Sequence, residues 1–480
     1  MGELGSPQAL VVLLPLLSAG ALVFVRRPAW SAWAMLAASA ATFALACRLP
    51  FEHLAGTLLL ADPLSAHMAV LTAFVGLAAA WFSRATLPEL AAQMTPAALR
   101  HYHALFMAFL GFMLLALLSD NLGVAWVGIE AATIAGVVAV GLPRTPGAVE
   151  AAWKYFVVAG VGVGLALFGI VALYLAAQAA GVTGLGGMSW TALTAAAPSL
   201  PAPLLNLAFV FLLVGYATKA GLAPLHTWLA DAHAEGPTPL SAVLSGSVLN
   251  VALISILRLR GVVAGNPATI DPGIPIEALG VASVLLGALG MWRRRDMKRF
   301  FALSSIEQNG LVALAFGVGG AAGVFAGLLH MTLQTLAKAA LFMAVGDAAQ
   351  RKGSQRLEAI GGLLANHRRL GLTFAAGIAA VAALPPFGMF ASGFLILTAA
   401  MRQAPLAGAL AGAGLVIGAW ALLSRLIALC LGQPTPDVGP APAPAALLPA
   451  WLLLAVVLAA GVALPSPVSA WLGGIAGAPR

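Results

Sequence analysis

The residue whose placement most needs explaining is Lys219. It lies in Tyr216 to His233, reading YATKAGLAPLHTWLADAH, at the end of an apolar run and a turn before Pro224. Proline removes a backbone donor and clashes with the preceding turn, so a helix here must kink or break. A lysine at mid-membrane costs roughly 2.5–3.5 kcal/mol on insertion scales, and ion handling is the usual function that offsets such a cost. Glu130 sits inside another apolar run, Trp126 to Thr133. Burial and a neighbouring carboxylate act in opposite directions on an ammonium's hold on its proton. A Glu130–Lys219 pair whose separation changes is therefore a proton switch. The plain alternatives are a carboxylate bonded to a neighbouring helix and a lysine snorkelling to an interface.

A second set lies further on. His330, Gln334 and Lys338 recur at i, i+4 and i+8, on one helical face, so one stripe carries an imidazole, an amide and an amine. Histidine passes protons near neutral pH; an amide cannot release a net proton but can order water. The alternative is a hydrogen-bonded packing stripe. Glu307 and Gln308 follow Ser304-Ser305 in the preceding apolar run, and Asn250 reads as interhelical glue. His226, Asp231 and His233, with Glu235, cluster beyond the break, as a proton entrance or a solvated helix end. The two cysteines, Cys47 and Cys430, are far apart, and no Cys/His spacing suits zinc, haem or an iron–sulfur cluster. No metal site, cofactor or redox site of the chain's own is expected, so enzyme status stays open. The GVGVG at 160–164 lies inside an apolar run and reads as helix packing, not a phosphate loop.

The elements that must position these groups are membrane helices. The chain is 61% apolar and 8% charged, against about 25% charged in soluble domains, which excludes a water-soluble fold. A helix needs about 20 apolar residues to cross a bilayer. That ruler gives candidate spans at 8–25, 29–47, 64–83, 103–119, 121–141, 154–178, 204–224, 239–257, 274–292, 299–318, 321–346, 370–400, 406–430 and 444–463. The expectation is an all-α polytopic membrane protein with about fourteen transmembrane helices. With the N-terminus outside, inner loops receive Arg26-Arg27, Arg84, Arg100, Arg144, Lys154, the 293–299 cluster, Arg351-Lys352, Arg356 and Arg368-Arg369. The outer side receives Arg48, Arg258, Arg260, Arg402 and Arg480. This asymmetry is what the positive-inside rule expects of a multi-pass protein of the cytoplasmic (inner) membrane, and it gives the high pI a topological reading, not a nucleic-acid one. Segment 181–203 reads as an outer loop, 348–369 as an amphipathic surface helix and 433–445 as a stiff inner connection.

Two spans are proline-interrupted, 204–232 at Pro224 and 370–400 at Leu384-Pro385-Pro386-Phe387. Each is the fourth element of a five-span group, an arrangement that points to inverted repeats with a midplane site. Four units follow: 1–100, N-terminal helices; 101–260, a first half carrying Glu130 and Lys219; 261–432, a second half; and 433–480, a C-terminal helix.

Glu130 with Trp126, AAWKYFVVAGVGVGLALFG (151–169), the Tyr216–His233 stretch, GPTPLSAVLSG (236–246), RRDMKRFFALSSIEQNG (294–310), HMTLQTLAKAALFMAVG (330–346) and LPPFGMF (384–390) together resemble the antiporter-like membrane subunits. These are the L, M and N subunits of complex I (NADH dehydrogenase-like), the large Mrp antiporter subunits and membrane hydrogenase subunits, with hydrogenase-4 component F the nearest in pattern. The resemblance implies fourteen helices with two inverted five-helix repeats, and a midplane chain of buried charges: Glu130, Lys219, Lys338 and His330. It implies proton translocation, or sometimes sodium, driven by a peripheral redox module of a multi-subunit oxidoreductase complex, with other membrane subunits as partners. The sequence departs from the pattern at Gln308 and Gln334, where histidines are usual, at Gly393, where an acid or lysine is expected, and at Asn250, often a lysine. Glu307 is a partial substitute. Those departures keep two other readings open: a non-pumping structural subunit of the membrane arm, and a self-standing Mrp-type Na+/H+ antiporter module.

Overall fold

Helices begin where the sequence offers a cap. Ser6, Asp62, Thr95 and Thr145 each stand before a proline at the first helical position, and each side chain accepts the backbone N–H three residues on. Proline costs nothing there, because that N–H has no intrahelical partner. The computed structural model describes residues 6–52, 56, 58–439, 443 and 445–477. It is all-helical, with no strand among the described residues. Arg480 and the first residue of the expected 444–463 span lie outside them.

The N-terminal group is α1 (Pro7–Leu22), α2 (Pro28–Ala46), α3 (Pro63–Ala85), the short α4 (Leu87–Gln93) and α5 (Pro96–Leu118). Next come α6 (Leu122–Gly141), α7 (Pro146–Ala179), the loop helix α8 (Trp190–Ala196), α9 (Ala202–Lys219), α10 (Thr227–Glu235), α11 (Thr238–Val243) and α12 (Leu249–Ala264), with α11 and α12 continuous through a π-turn. The next group is α13 (Gly273–Met291), α14 (Met297–Val318), α15 (Gly320–Lys352), the four-residue α16 (Leu363–Asn366), α17 (Arg368–Val381), α18 (Gly388–Gln403) and α19 (Pro405–Leu426). The chain closes with α20 (Leu448–Val462) and α21 (Ser466–Gly477).

Among the described residues, eleven helices are long and apolar enough to cross a membrane, and the α20–α21 pair, bent by 83°, raises the number to twelve. The fourteen expected from sequence differ from this at α1, which has 16 residues, and at the two halves α17 and α18. Helix α21 was not foreseen, because 12 residues fall well short of a span. The expected surface helix over 348–369 is replaced by two features. α15 itself runs on to Lys352, and left-handed glycines at 353 and 362 then turn the chain.

The layers separate by burial. The apolar windows of Thr238–Ala264 and Met297–Val318 are wholly enclosed, and that of Gly320–Lys352 is 94% enclosed, against 28% for Pro28–Phe51. A lipid-facing helix cannot carry several polar side chains, and the enclosed α14 and α15 each bury six, Glu307, His330 and Lys338 among them.

Residues 433–439 form a strap across the end of α15. Lys352 pairs with Asp437 at 2.8 Å, His367 Nε2 lies 2.5 Å from the other carboxylate oxygen, and the Val438 and Gly439 N–H groups donate to Arg351 O. Burial pushes the Asp437 carboxyl up, but the bonds from Lys352 and His367 more than offset it and hold the group below the usual carboxylate range. A lowered folded-state pKa means the strap's stabilisation is present above the ordinary Asp value of about 3.9 and is lost as pH falls through the lower, folded value. Asp437→Asn is expected to speed hydrogen exchange at Val438 and Gly439 at neutral pH while α12 and α14 keep their protection. Unchanged exchange at those two amides would show that the ion pairs do not hold the strap.

Candidate functional site

The break at Pro224 is built by side chains that take over the freed backbone groups. α9 ends at Lys219, Gly221 adopts φ +68°, and the chain resumes as α10 at Thr227. The carbonyl of Thr218 accepts Trp228 Nε1–H at 2.9 Å, that of Ala220 accepts Asn309 Nδ2–H at 3.1 Å, and the Ala223 N–H donates to Ser283 Oγ at 2.8 Å. An irregular backbone inside a membrane protein requires such partners. The result places Lys219 at the C-terminal end of α9, where the helix dipole favours a cation.

Lys219 is 1% exposed. Its ammonium donates to Thr133 Oγ1 at 2.6 Å and to Tyr155 OH at 3.0 Å, and it lies 4.9 Å from the Tyr155 ring and 5.4 Å from the Trp228 ring. Those two rings are stacked at 4.3 Å and 8°. Thr133 is one turn from Glu130 on α6. Glu130 is close enough for its charge to act on Lys219, yet the two form no ion pair within 4.0 Å and Glu130 Oε2 has no partner among the described residues. The pair foreseen from sequence is thus held apart with a threonine hydroxyl and a tyrosine hydroxyl at the lysine end. Thr133, Tyr155 and Trp228 lay inside the motifs already quoted, but neutral side chains in apolar runs gave no separate signal.

The stripe on α15 faces α14, rung by rung. His330 Nε2 lies 2.9 Å from Gln308 Oε1, Gln334 Nε2 donates to Asn309 Oδ1 at 2.9 Å, and Lys338 Nζ donates to Phe301 O at 3.1 Å and to Ser304 Oγ. His330 Nδ1 lies 2.8 Å from Ser392 Oγ, a hydroxyl that also donates to Met389 O at 3.2 Å. Gln308 also bonds Glu307, giving a continuous run Glu307, Gln308, His330, Ser392. Glu307 is 1% exposed and its Oε2 is unpartnered among the described residues. Gly393 lies beside Ser392 with room around it, since a methyl there would meet only Leu311 at 3.9 Å. Asn250 Nδ2 donates to Thr335 Oγ1 at 2.8 Å, a bridge between α12 and α15 as its glue reading expected.

The group beyond the break does not stay together. Asp231 joins a surface network with Arg299 at 2.9 Å and Lys154 at 3.2 Å, which Glu235 extends through Arg299 at 3.4 Å. His226 is half-buried with Nδ1 unpartnered. His233 is fully buried, stacked on Phe342 at 4.7 Å, with neither ring nitrogen bonded among the described residues and the charges of Lys338 and Lys298 acting on it. Lys298 donates to Gly236 O at 3.0 Å and lines a polar cavity of 590 Å³ with Glu89, Thr86, Thr145, Glu235 and Gln350. Lys298 appeared in the sequence only as one more loop charge. No cluster of three or more metal-ligating side chains occurs among the described residues.

A family described as NADH:quinone oxidoreductase/Mrp antiporter, transmembrane, matches residues 119–418, from the start of α6 to the middle of α19. The chain belongs to this family. It is 44% identical over 418 residues to a hydrogenase-4 component F homolog of Methylacidiphilum infernorum, covering 87% of each chain. Its fold matches a chain of the Mrp complex from Dietzia sp. DQ12-45-1b, with TM-score 0.85 and 23% identity over 98% of this chain and 96% of that one. It also matches a chain of respiratory complex I from Thermus thermophilus, with TM-score 0.80 and 24% identity over 97% and 99%. The resemblance read from the ordered motifs is borne out at the level of the family.

Removing the Tyr155 hydroxyl leaves the stacked rings in place and takes one acceptor from a buried ammonium, a loss worth about 1–3 kcal/mol. Tyr155→Phe is expected to lower the thermal midpoint in detergent by a few degrees. An unchanged midpoint would mean that the hydroxyl does not hold Lys219.

Proposed function

We propose that this chain is the proton-translocating, antiporter-like membrane subunit of an energy-converting complex, hydrogenase-like or complex I-like. Glu130 and Lys219 form its switch, and Lys338, His330 and Glu307 the relay of its second half. The observation that carries the reading is the position of Lys219. It is a fully enclosed ammonium at the end of a broken helix, bonded to neutral hydroxyls, with an unpaired glutamate within reach of its charge. An ion pair kept for stability would be closed; a charge pair left open costs free energy that a switching role explains.

The subunit works in the inner membrane with its N-terminus outside, beside other membrane subunits and a peripheral redox module. Residues 101–260 and 261–432 act as two inverted five-helix halves of a fourteen-span protein, with 1–100 and 433–480 flanking them. The shorter helix α1 and the broken pair α17–α18 supply the spans beyond the twelve identified by length. The 590 Å³ cavity gives protons an approach from the inner side toward Lys298, and His226, Asp231 and His233 stand around the same end of the break.

The test uses the complex purified through a tag on this chain in mild detergent. Iron–sulfur subunits are expected to come with it. Lys219→Ala is expected to assemble normally and lower redox-driven proton uptake by roughly 10²-fold or more, the lower bound for losing a positioned proton-transfer group. Wild-type uptake in the assembled variant would contradict the reading. It would favour a non-pumping scaffold, whose supporting observation is that positions 308, 334 and 393 carry Gln308, Gln334 and Gly393, none of them titratable.

A further inference from the structure

The turn between α6 and α7 is short because both helix ends are written into the sequence. α6 ends at Gly141, and Thr145 with Pro146 starts α7, the Thr145 hydroxyl accepting the Ala148 N–H at 3.1 Å. Leu142, Pro143 and Arg144 alone remain for the link. The Arg144 N–H donates to Gly141 O at 3.1 Å, and the residue takes φ +55°, a left-handed conformation uncommon for a residue with a Cβ. Arg144 stands at the mouth of a groove of 460 Å³ between the two helices. The floor is open because Gly141 has no side chain and its neighbour is only an alanine; a methyl on Gly141 would lie 3.4 Å from Ala152 Cβ. The walls are apolar, with Val138, Trp153 and Phe156 exposed by 48%, 62% and 46%. Arg144 is the one charged side chain among the described residues that line the groove, and its guanidinium has no hydrogen-bond or ion-pair partner among them. The acid closest to it in the chain, Glu150, is engaged by Lys154 at 2.7 Å, which also pairs with Asp231 of α10.

We propose that the α6–α7 groove is a binding site for an anionic phospholipid, one acyl chain lying along the apolar walls and the phosphate pairing with Arg144. An arginine at a helix end ordinarily serves only to set topology, and an apolar helix face ordinarily meets lipid without selecting it. Here the two coincide at a concave site: hydrocarbon walls end at a single unpaired guanidinium, a group whose planar fork matches phosphate oxygens. Trp153 stands near the same end, where an amphipathic ring suits the headgroup level. A groove of similar size, 540 Å³, lies between α13 and α19, but the charged residue lining it is Glu277, which repels the same headgroup. The inference does not rest on the translocation reading and holds whichever ion the subunit moves.

The experiment places the purified complex in phosphatidylcholine vesicles containing a small fraction of phosphatidylglycerol with a photoreactive diazirine in one acyl chain. After illumination, the labelled peptides of this chain are mapped. Label is expected within residues 137–156, well above that in the α13–α19 groove, and displaced by unlabelled phosphatidylglycerol but not by added phosphatidylcholine. Arg144→Gln is expected to lower this labelling roughly fivefold, the scale of one basic side chain at a membrane surface. Ala152→Phe fills the floor without changing the charge and is expected to lower it as well. Arg26→Gln removes another exposed arginine ahead of α2 and is expected to leave it unchanged. Equal labelling of the two grooves, or an Arg144→Gln variant that behaves as Arg26→Gln, overturns the proposal. So does an unlabelled groove, which is the result expected if a helix of a neighbouring subunit covers it. Should Ala152→Phe fail to assemble, the comparison of Arg144→Gln with Arg26→Gln decides.

Discussion

An ammonium group enclosed in a membrane protein must find acceptors inside the protein, and the arrangement around Lys219 follows from that constraint. Thr133 and Tyr155 supply oxygen atoms, the Tyr155 and Trp228 rings supply π-faces, and the C-terminal end of α9 supplies carbonyl dipoles. Each of these requires a particular helix. α6 must bring Thr133, α7 must bring Tyr155, and α10 must return across the break to bring Trp228. The break itself then depends on α13 and α14, whose Ser283 and Asn309 bond the backbone groups that Pro224 sets free. Helices far apart in sequence are thereby tied to one side chain.

The same constraint sorts the bundle into layers. α12, α14 and α15 carry Asn250, Ser304, Glu307, Gln308, Asn309, His330, Gln334 and Lys338, and they are the helices with almost no surface of their own. Around them, α2, α7, α13 and α19 expose Leu, Val, Phe and Trp. Polar helices are interior because lipid excludes their side chains, and this gives the molecule a polar centre inside an apolar sheath.

Much of this was legible in the sequence, and for identifiable reasons. Charges inside apolar runs single out Glu130, Lys219, Glu307 and Lys338, because lipid excludes them so strongly that their presence is informative. Prolines mark the two breaks, and the i, i+4, i+8 spacing of His330, Gln334 and Lys338 was enough to place them on one helical face. Partners were a different matter. Ser392, Thr133 and Tyr155 are ordinary residues in apolar surroundings, and only the packing of distant helices shows what they touch. His233 and Asp231, two residues apart, read as one cluster, yet the turn of α10 sends one into the core and the other to the surface network. Lys298 looked like a loop charge because the cavity it lines is formed by residues from several distant segments. Gly141 was silent, since the space beside a glycine cannot be read from its own chain.

The two buried lysines are held by different chemistry. Lys219 has a tyrosine, a threonine and aromatic faces; Lys338 has a serine hydroxyl and a main-chain carbonyl, with Glu307 near. Beside each, a carboxylate oxygen has no partner among the described residues. The central claim is that Glu130 and Lys219 act as one unit, and the most direct measurement is a double-mutant comparison of proton uptake in the intact complex. Groups that act together do not lose activity additively. The account predicts that Glu130→Gln combined with Lys219→Ala is no worse than the more damaging single variant. Losses that multiply in the double variant would show two independent residues and contradict it.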